Sequence, residues 1–306
     1  MNELIVSSGP HIREKESNEM LHVLVALVPA FIFGIYLFGF PALIVCFSAI
    51  AACVIFEMIM LKAKKQPFTK KDVGSAVVTG LLFAFCVSSA MPWWIMVIGA
   101  FVAIVLVKHA FGGLGFNIFN PALVSRAFLL SSWPVLMTSW NKPFDAVTTA
   151  TPLGLLKEQQ ILTDYMTMLI GNHAGSIGET SAIALLLGGL YLLIMKVIDH
   201  RIPVGYMFTV AIFGLIFRQD VVFHMLAGGL LLGAFFMATD PVTSPVSKPG
   251  RWVFGIGCGI ITMVIRLWGG YPEGVCYSIL VMNATVPLID RYMQGRIYGR
   301  KRWNIL

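Results

Sequence analysis

The feature that most constrains this chain is a series of apolar runs, many close to 20 residues long, which recur from Leu21 to near the C-terminus. A helix needs about 20 mostly apolar residues to cross a bilayer. Hydrophobic residues make up 58% of the sequence and charged residues only 12%, whereas an ordinary soluble domain is about a quarter charged. A water-soluble core cannot absorb so much apolar surface, so the sequence predicts an all-α integral membrane protein.

About ten transmembrane helices are expected from the number of such runs. The candidate spans are residues 21 to 38, 40 to 61, 73 to 90, 93 to 107, 118 to 133, 181 to 198, 202 to 217, 221 to 238, 251 to 268 and 274 to 290. Since many similar runs follow the first one, it is interpreted as a transmembrane helix and not as a cleaved signal sequence.

The ten spans divide into two sets of five, and an odd number per half turns the second half upside down, as in inverted-repeat transporters. The stretch from Gly80 to Pro92 aligns without gaps with the stretch from Gly229 to Pro241, sharing Gly, Leu, Leu and Pro. The sequence therefore predicts two inverted five-helix repeats.

The predicted organisation follows from these spans and from one long connection. It consists of a cytoplasmic N-terminal segment (1–20), a first five-helix repeat (21–133), an outer loop (134–180), a second five-helix repeat (181–290) and a basic cytoplasmic tail (291–306). Loops as long as the one after Pro134 are usually functional or disordered.

The net charge of +7 is interpreted as a signal for membrane orientation and not for nucleic-acid binding. Most of the 22 Lys and Arg residues fall between apolar runs on one side, and the opposite side holds only Lys142, Lys157 and Arg218. Basic residues concentrate in cytoplasmic loops. The N- and C-termini are therefore predicted to be cytoplasmic, and the 134–180 loop to lie outside.

Charged residues within the spans are rare. A lone Arg126 in the fifth span is costly and needs a partner or an anionic ligand. Arg266 lies near a span end and is expected to snorkel. Glu57 is expected to pair with the lysines between Lys62 and Lys71.

The outer loop contains the hydroxyl-rich stretch Asp145-Ala-Val-Thr148-Thr149-Ala150-Thr151-Pro152. From the residues alone this is a turn, because Asp and Thr side chains hydrogen-bond nearby backbone amides. A second unusual stretch, Gly112-Gly113-Leu-Gly115-Phe-Asn117-Ile-Phe-Asn120-Pro121-Ala122, leads into the fifth span. It indicates either helix packing through small residues or a break whose free backbone groups line a ligand cavity.

These two stretches, with Ala238-Thr-Asp240-Pro-Val-Thr243-Ser-Pro245 and the segment from Glu273 to Asp290, resemble signatures of a known family. Its members are membrane subunits of Na+-translocating NADH:quinone oxidoreductases and of Rnf complexes. The resemblance covers the whole span region and is closest to Rnf D subunits, because only about twenty residues precede the first predicted span. It implies a bacterial or archaeal inner-membrane subunit that relays electrons between ferredoxin and NAD+, coupled to Na+ or H+ translocation.

The resemblance also implies the cofactors. FMN is joined to the last threonine of the loop motif, here Thr151, by a separate FMN transferase that recognises Asp145. Thr149 stands where the family often has glycine, so Thr148 and Thr149 are lesser candidates. Asparagines of the second motif lie near a noncovalent riboflavin in the family, and that role passes to Asn117 and Asn120.

Two further assignments stay open at this level. Arg126 either contacts the FMN phosphate or isoalloxazine, or it snorkels or binds a backbone carbonyl. Asp240 either contacts a flavin edge or a cation, or caps the next turn.

Several absences assign the remaining chemistry to other subunits. The sequence has no GxxxxGK[ST] or GxGxxG motif, no HxxxH spacing, and its five cysteines form no CxxC pair. Iron–sulfur clusters, other flavins and the NAD site are therefore expected in partner subunits. Each cysteine lies inside an apolar run and is expected to be a small buried residue. The alternative function is a small-solute channel with the inverted-repeat fold of urea transporters, which has no need of the loop motif.

The charge distribution gives a testable topology. We expect a reporter fused at Lys65 to remain in the cytoplasm and a reporter fused near Lys157 to be exported, because basic loops are retained inside. Alkaline phosphatase and green fluorescent protein fusions distinguish the two sides. A cytoplasmic loop at Lys157 would overturn both the orientation and the side assigned to the flavin.

Overall fold

A computed structural model describes residues 10–145, 147–179 and 181–293, with side chains from Glu19 onward. Most predicted positions of the N-terminal segment and of the basic tail lie outside the described side chains. The helices of the described part are α1 (Pro10–Phe38), α2 (Phe40–Ala63), α3 (Lys70–Phe85), α4 (Trp93–His109), α5 (Pro121–Ser132), α6 (Pro134–Thr138), α7 (Pro152–Gln159), α8 (Tyr165–Ile170), α9 (Ala182–Ile194), α10 (Arg201–Ile216), α11 (Val221–Leu226), α12 (Leu230–Leu232), α13 (Lys248–Trp268) and α14 (Val275–Met293).

The predicted class, an all-α membrane protein, is confirmed. Glu19–Phe38, Phe40–Ala63 and Lys248–Trp268 are long and apolar enough to cross a membrane. Three shorter apolar helices accompany them: Trp93–His109, Ala182–Ile194 and Arg201–Ile216. Two helices contain π-helical turns, α4 over Val102–His109 and the continuation of α12 over Gly233–Met237.

Two predicted spans are not continuous membrane-crossing helices. The fifth, α5, follows an irregular segment in which Gly112, Gly113 and Gly115 have positive φ. Its 12 residues cover about 18 Å, whereas the hydrocarbon core is about 30 Å thick. The eighth is divided into α11 and α12 at Gly228 (φ 66°) and Gly229 (φ 65°), a conformation that glycine adopts without steric cost.

The break between α11 and α12 explains a wrong prediction for Arg266. This side chain does not snorkel but is buried. Its guanidinium donates to the backbone carbonyl oxygens of His224 (2.6 Å) and Ala227 (2.8 Å), which the break leaves without helical partners, and to that of Glu273 (3.3 Å). Arg266 therefore provides, from α13, the hydrogen bonds that the interrupted helix lacks.

Small residues allow the helices to approach closely. A Cβ atom on Gly255 would lie 2.6 Å from the carbonyl oxygen of Ile202, and one on Gly259 would lie 2.6 Å from Cβ of Thr209. The two glycines are four residues apart on α13, the spacing that brings membrane helices together. The α10–α13 contact is consequently one of the closest in the molecule.

The helix pairing is compatible with the predicted repeat but does not test it. In the first half α2 packs on α3 and α4, and in the second half α10 packs on α11 and α13. Contacts of α1 with α9 and of α5 with α14 join the halves. The aligned glycines differ, however: a Cβ on Gly80 would lie 2.8 Å from Cα of Ile50, whereas Gly229 provides a positive φ. The inverted repeat therefore stays a prediction.

The outer loop has regular structure, and its last residues are buried between the helices. It carries the short helices α6 to α8 and a two-stranded ladder of β1 (Trp140–Asn141) and β2 (Thr148–Thr149). Residues 173–179 are buried: the N–H of Ile177 donates to the Val87 carbonyl oxygen and the N–H of Gly178 to that of Phe85, both at 3.1 Å. The end of the predicted loop thus lies between α1 and α3.

Asp199 joins two helix starts at the end of the bundle opposite the outer loop. Its Oδ2 accepts from the guanidinium groups of Arg201 and Arg251, each at 2.6 Å. Burial raises the pKa of Asp199, but the backbone N–H of Arg201 and the two guanidinium groups outweigh it, so the pKa lies below its usual range.

This clamp predicts the effect of removing one charge. Asp199→Asn should destabilise the protein by about 1 kcal/mol, because both arginines lose their shared carboxylate. Thermal unfolding in detergent measures the loss, with the exposed Glu158→Gln as control. Since the folded-state pKa is depressed, the difference should be full near neutral pH and vanish once acid protonates Asp199 in both states. Equal stability at neutral pH would contradict the clamp.

Candidate functional site

The eight residues assigned from sequence do not form one site. Asp145, Thr148, Thr149, Ala150 and Thr151 lie in the outer loop, at the β-ladder and the start of α7.

Asn117 and Asn120 precede α5 at the wall of a cavity, and Arg126 lies on α5 between the two groups. The structure therefore separates two candidate regions.

Asp145 lies in the turn that joins β1 to β2. The ladder pairs Trp140 with Thr149 and Asn141 with Thr148. The N–H of Asp145 donates to the carbonyl oxygen of Lys142 at 3.2 Å, so the motif forms the turn that its residue types predict. Asp145 is exposed, so its carboxylate is accessible to another protein.

Thr151 is the N-cap of α7. Its Oγ1 accepts from the N–H of Gly154 at 3.2 Å, and its carbonyl oxygen accepts from the N–H of Leu155 at 2.8 Å. The side chain is only 5% exposed, whereas the sequence argument expected a hydroxyl that a transferase reaches directly. Thr148 and Thr149 are the exposed threonines of the motif.

A cavity of about 630 Å³ opens at the other end of the bundle. Its apolar wall comprises Val78, Leu82, Leu192, Phe235 and Phe236. Its polar wall comprises Glu19, Lys71, Ser75, Thr79, Lys108, Asn117, Asn120, Thr239 and Asp240. A mostly apolar cavity of this size with a few convergent polar groups is typical of small-molecule sites.

Asn120 is the most connected polar residue of this wall. Its Oδ1 accepts from the N–H groups of Ala122 (3.1 Å) and Leu123 (3.4 Å), which caps α5, and its Nδ2 donates to the carbonyl oxygen of Met237 at 3.3 Å. Asn117 donates to the carbonyl oxygen of Phe119 at 3.3 Å. The glycine-rich stretch is thus a break that lines a cavity, one of its two predicted interpretations.

Asp240 and Glu57 have partners that decide their local roles. Asp240 Oδ1 accepts from the N–H of Val242 (3.3 Å), and Oδ2 from the hydroxyl of Thr243 (3.0 Å); the carboxylate caps the next turn, as one alternative predicted. The prediction that Glu57 pairs with Lys62 to Lys71 is wrong.

Glu57 instead lies 2.8 Å from Lys108 Nζ and 3.2 Å from His109 Nε2. A buried carboxylate needs a buried cation, which the exposed lysine loop does not supply.

Arg126 is not a lone cation. Its guanidinium pairs with the carboxylate of Glu273, which precedes α14. A cavity of about 50 Å³ beside this pair is bounded by Trp140 of β1, among other residues, so Arg126 does approach the motif hairpin. Its charge is already compensated, and flavin contact by Arg126 stays a prediction.

Sequence reasoning missed the residues that the fold brings together from distant segments. In the sequence Glu273 is the first residue of a motif segment, and Lys108 is a basic residue between two apolar runs. Ser75 gave no signal at all. A charged side chain at the end of an apolar run was the available clue for Lys108, because such a residue needs a partner once it is buried.

Comparison with known proteins shows the family of this chain. A family model described as "NQR2, RnfD, RnfE family" matches residues 5–299. The D subunit of the Na+-translocating ferredoxin:NAD+ oxidoreductase complex of Acetobacterium woodii is 51% identical, over 98% of this chain and 97% of the relative. The D subunit of the proton-translocating ferredoxin:NAD+ oxidoreductase complex of Clostridium ljungdahlii is 49% identical, over 98% of each chain.

The D subunit of the ion-translocating oxidoreductase complex of Stutzerimonas stutzeri is 40% identical, over 94% of each chain. Matches of this extent include both candidate regions, the outer-loop motif and the cavity. The chain belongs to the NQR2, RnfD, RnfE family of membrane proteins.

Proposed function

We propose that this chain is the flavin-carrying D subunit of an ion-translocating ferredoxin:NAD+ oxidoreductase. It relays electrons through FMN on Thr151 and through a noncovalent riboflavin in the cavity, in a complex that couples this transfer to Na+ or H+ translocation. The relatives named above are subunits of such complexes, which favours a redox role over the solute channel. The observation that carries the proposal is the position of Thr151 at the N-terminus of α7.

The start of α7 suits a phosphoester. The first N–H groups of a helix have no carbonyl partner within the helix, and its dipole favours negative charge there. Gly154 and Ala150 flank Thr151, and a Cβ on Gly154 would lie 3.4 Å from Thr151 Oγ1 and 3.5 Å from Cβ of Ala150. Position 154 therefore lies in van der Waals range of the attachment point.

The burial of Thr151 constrains when the transferase can attach FMN. Its hydroxyl oxygen is the cap of α7, so the transferase must act while the first turn of α7 is open. Once a phosphate is attached, its oxygens can accept from the same N–H groups. Asp145 remains exposed on the adjacent hairpin and serves as the recognition residue.

The cavity suits a ring system that is buried except at its mouth. Phe235, Leu82 and Leu192 provide apolar contact area, and Asn117 and Asn120 provide amide groups. One N–H of the Asn120 amide is used by Met237, which leaves the other for a ligand. Flavins supply one- and two-electron transfer when bound.

The two regions require two flavins. Thr151 follows α5 in the chain, and the 12 residues of α5 separate the cavity from the outer-loop end by about 18 Å. Other subunits of the complex supply the iron–sulfur clusters, further flavin and the NAD site. We place the chain in the inner membrane with both termini in the cytoplasm and the Thr151 loop outside.

Thr151→Val tests the covalent link. The variant keeps the side-chain shape but removes the oxygen, so we expect loss of covalent FMN when the chain is expressed with its transferase. Intact mass and in-gel flavin fluorescence of the denatured chain measure it. The lost cap costs about 1 kcal/mol, which should leave the inserted protein folded.

Two controls separate the hydroxyl from the fold. Thr151→Ser keeps the capping oxygen and should match the wild type in thermal stability. Thr148→Val and Thr149→Val, at exposed positions of β2, should remain flavinylated. Fluorescence that survives in Thr151→Val and disappears in one of these would move the attachment site, and an unmodified wild-type mass would reject covalent flavin.

Asn117→Leu tests the cavity. Loss of a hydrogen bond worth about 1.4 kcal/mol would lower affinity about tenfold, so we expect less acid-extractable riboflavin and slower electron transfer while Thr151 stays flavinylated. Asn172→Leu, at an exposed loop position, is the control. Unchanged flavin content and turnover in Asn117→Leu would favour a packing role for the glycine-rich stretch.

A further inference from the structure

Lys108 is a buried cation in the cavity wall, outside the sequence motifs. Lys108, near the end of α4, is 2% exposed, and its Nζ lies 2.8 Å from Glu57 Oε1. The same Nζ donates to the hydroxyl of Ser75 at 3.0 Å. Ser75 and Lys108 both line the cavity, and the hydrogen bond between them keeps the ammonium group next to this wall.

Glu57 holds this ammonium from the protein side. The carboxylate is completely buried on α2, and its second oxygen lies 3.2 Å from His109 Nε2. The π-helical turns Val102–His109 place two consecutive residues against one carboxylate. Such turns inside α-helices occur frequently at functional sites.

Burying these ions lowers the stability of the fold, which indicates that they have a function. Removing an ion from water costs several kcal/mol even after relaxation, and a well-packed apolar pair is often at least as stable. An ionisable residue inside a membrane-spanning segment is an indication of a functional site. Lys64 adds an ordinary structural contact, since its Nζ donates to the carbonyl oxygen of His109 at 2.8 Å.

The geometry leaves Lys108 with a donor for a ligand. An ammonium group has three N–H donors. Ser75 accepts one of them, and the contact with Glu57 is an ion pair at 2.8 Å, so a further N–H can serve an acceptor in the cavity. Lys71 also lines the cavity but is partly exposed, so solvent screens its charge more effectively.

We propose that Lys108 binds the electronegative edge of a ring ligand in this cavity and stabilises its reduced form. The inference rests on the proposed flavin. When an isoalloxazine takes up two electrons and one proton, the reduced ring carries one negative charge, which collects at its N1 and C2 carbonyl edge. A Lys108 N–H donates to that edge and stabilises the charge by a hydrogen bond, and Glu57 is the positioning residue that keeps the ammonium in place.

A redox titration of the full chain tests this role. The Thr151→Val background removes the covalent flavin of this chain, so that riboflavin is the probe. The purified protein is saturated with riboflavin and reduced stepwise with dithionite while flavin absorbance is recorded. Lys108→Met should bind reduced riboflavin at least tenfold more weakly relative to oxidised riboflavin, which lowers the midpoint potential by about 30 mV.

Matched variants keep the result interpretable. Lys71→Met removes the screened lysine and should shift the potential much less. If Lys108→Met fails to fold because Glu57 is left unpaired, the double variant Glu57→Gln/Lys108→Met removes both charges. It should also lower the potential, but by less than Lys108→Met, because no unpaired carboxylate remains beside the ring.

Two failures are distinguishable. A wild-type chain that binds no riboflavin would reject the cavity part of the proposed function and this inference with it. Riboflavin binding with an unchanged potential in Lys108→Met, or in the double variant, would overturn the role of Lys108 alone.

Discussion

The interrupted centre of the bundle depends on the hydrogen bonds of Asn120. Its amide caps α5 and reaches the carbonyl oxygen of Met237 at the end of the π-helical turns that follow α12. Its own N–H donates at 3.1 Å to the amide oxygen of Asn283, on α14, in the orientation that satisfies both groups. Unpaired backbone groups cost several kcal/mol each in an apolar interior. The irregular backbone that lines the cavity is tolerated because one residue, through its side chain and its backbone N–H, connects three helical segments.

Buried charges follow the same rule of internal compensation. Arg126 from the first half pairs with Glu273 from the second, while Glu57 and Lys108 pair within the first half. Arg266 compensates a helix break through carbonyl oxygens instead of a carboxylate. Removing one partner of a buried pair costs more than the pair contributes. The Arg126–Glu273 pair therefore fixes how the two halves of the chain meet, and the other contacts fix the helices within each half.

The sequence was informative where chemistry is local. Apolar runs indicated the class, Asn120 before Pro121 has the residue types of a helix start, and the Asp145 stretch forms the turn that its side chains favour. Contacts between distant segments could not be predicted, because Glu57 meets Lys108 only after α2 and α4 pack together. The burial of Thr151 was missed for a similar reason: capping by its hydroxyl depends on where α7 begins.

The inserted end of the outer loop affects the order of assembly. A Cβ placed on Gly34 would lie 2.9 Å from Cγ2 of Ile177. A Cβ placed on Gly178 would lie 2.4 Å from Cβ of Phe85. Helix α9 begins only a few residues later and packs on α1. During biogenesis this segment must therefore enter before the two halves of the chain close, because no gap remains for it afterwards. Insertion of the segment and docking of the halves become one cooperative step.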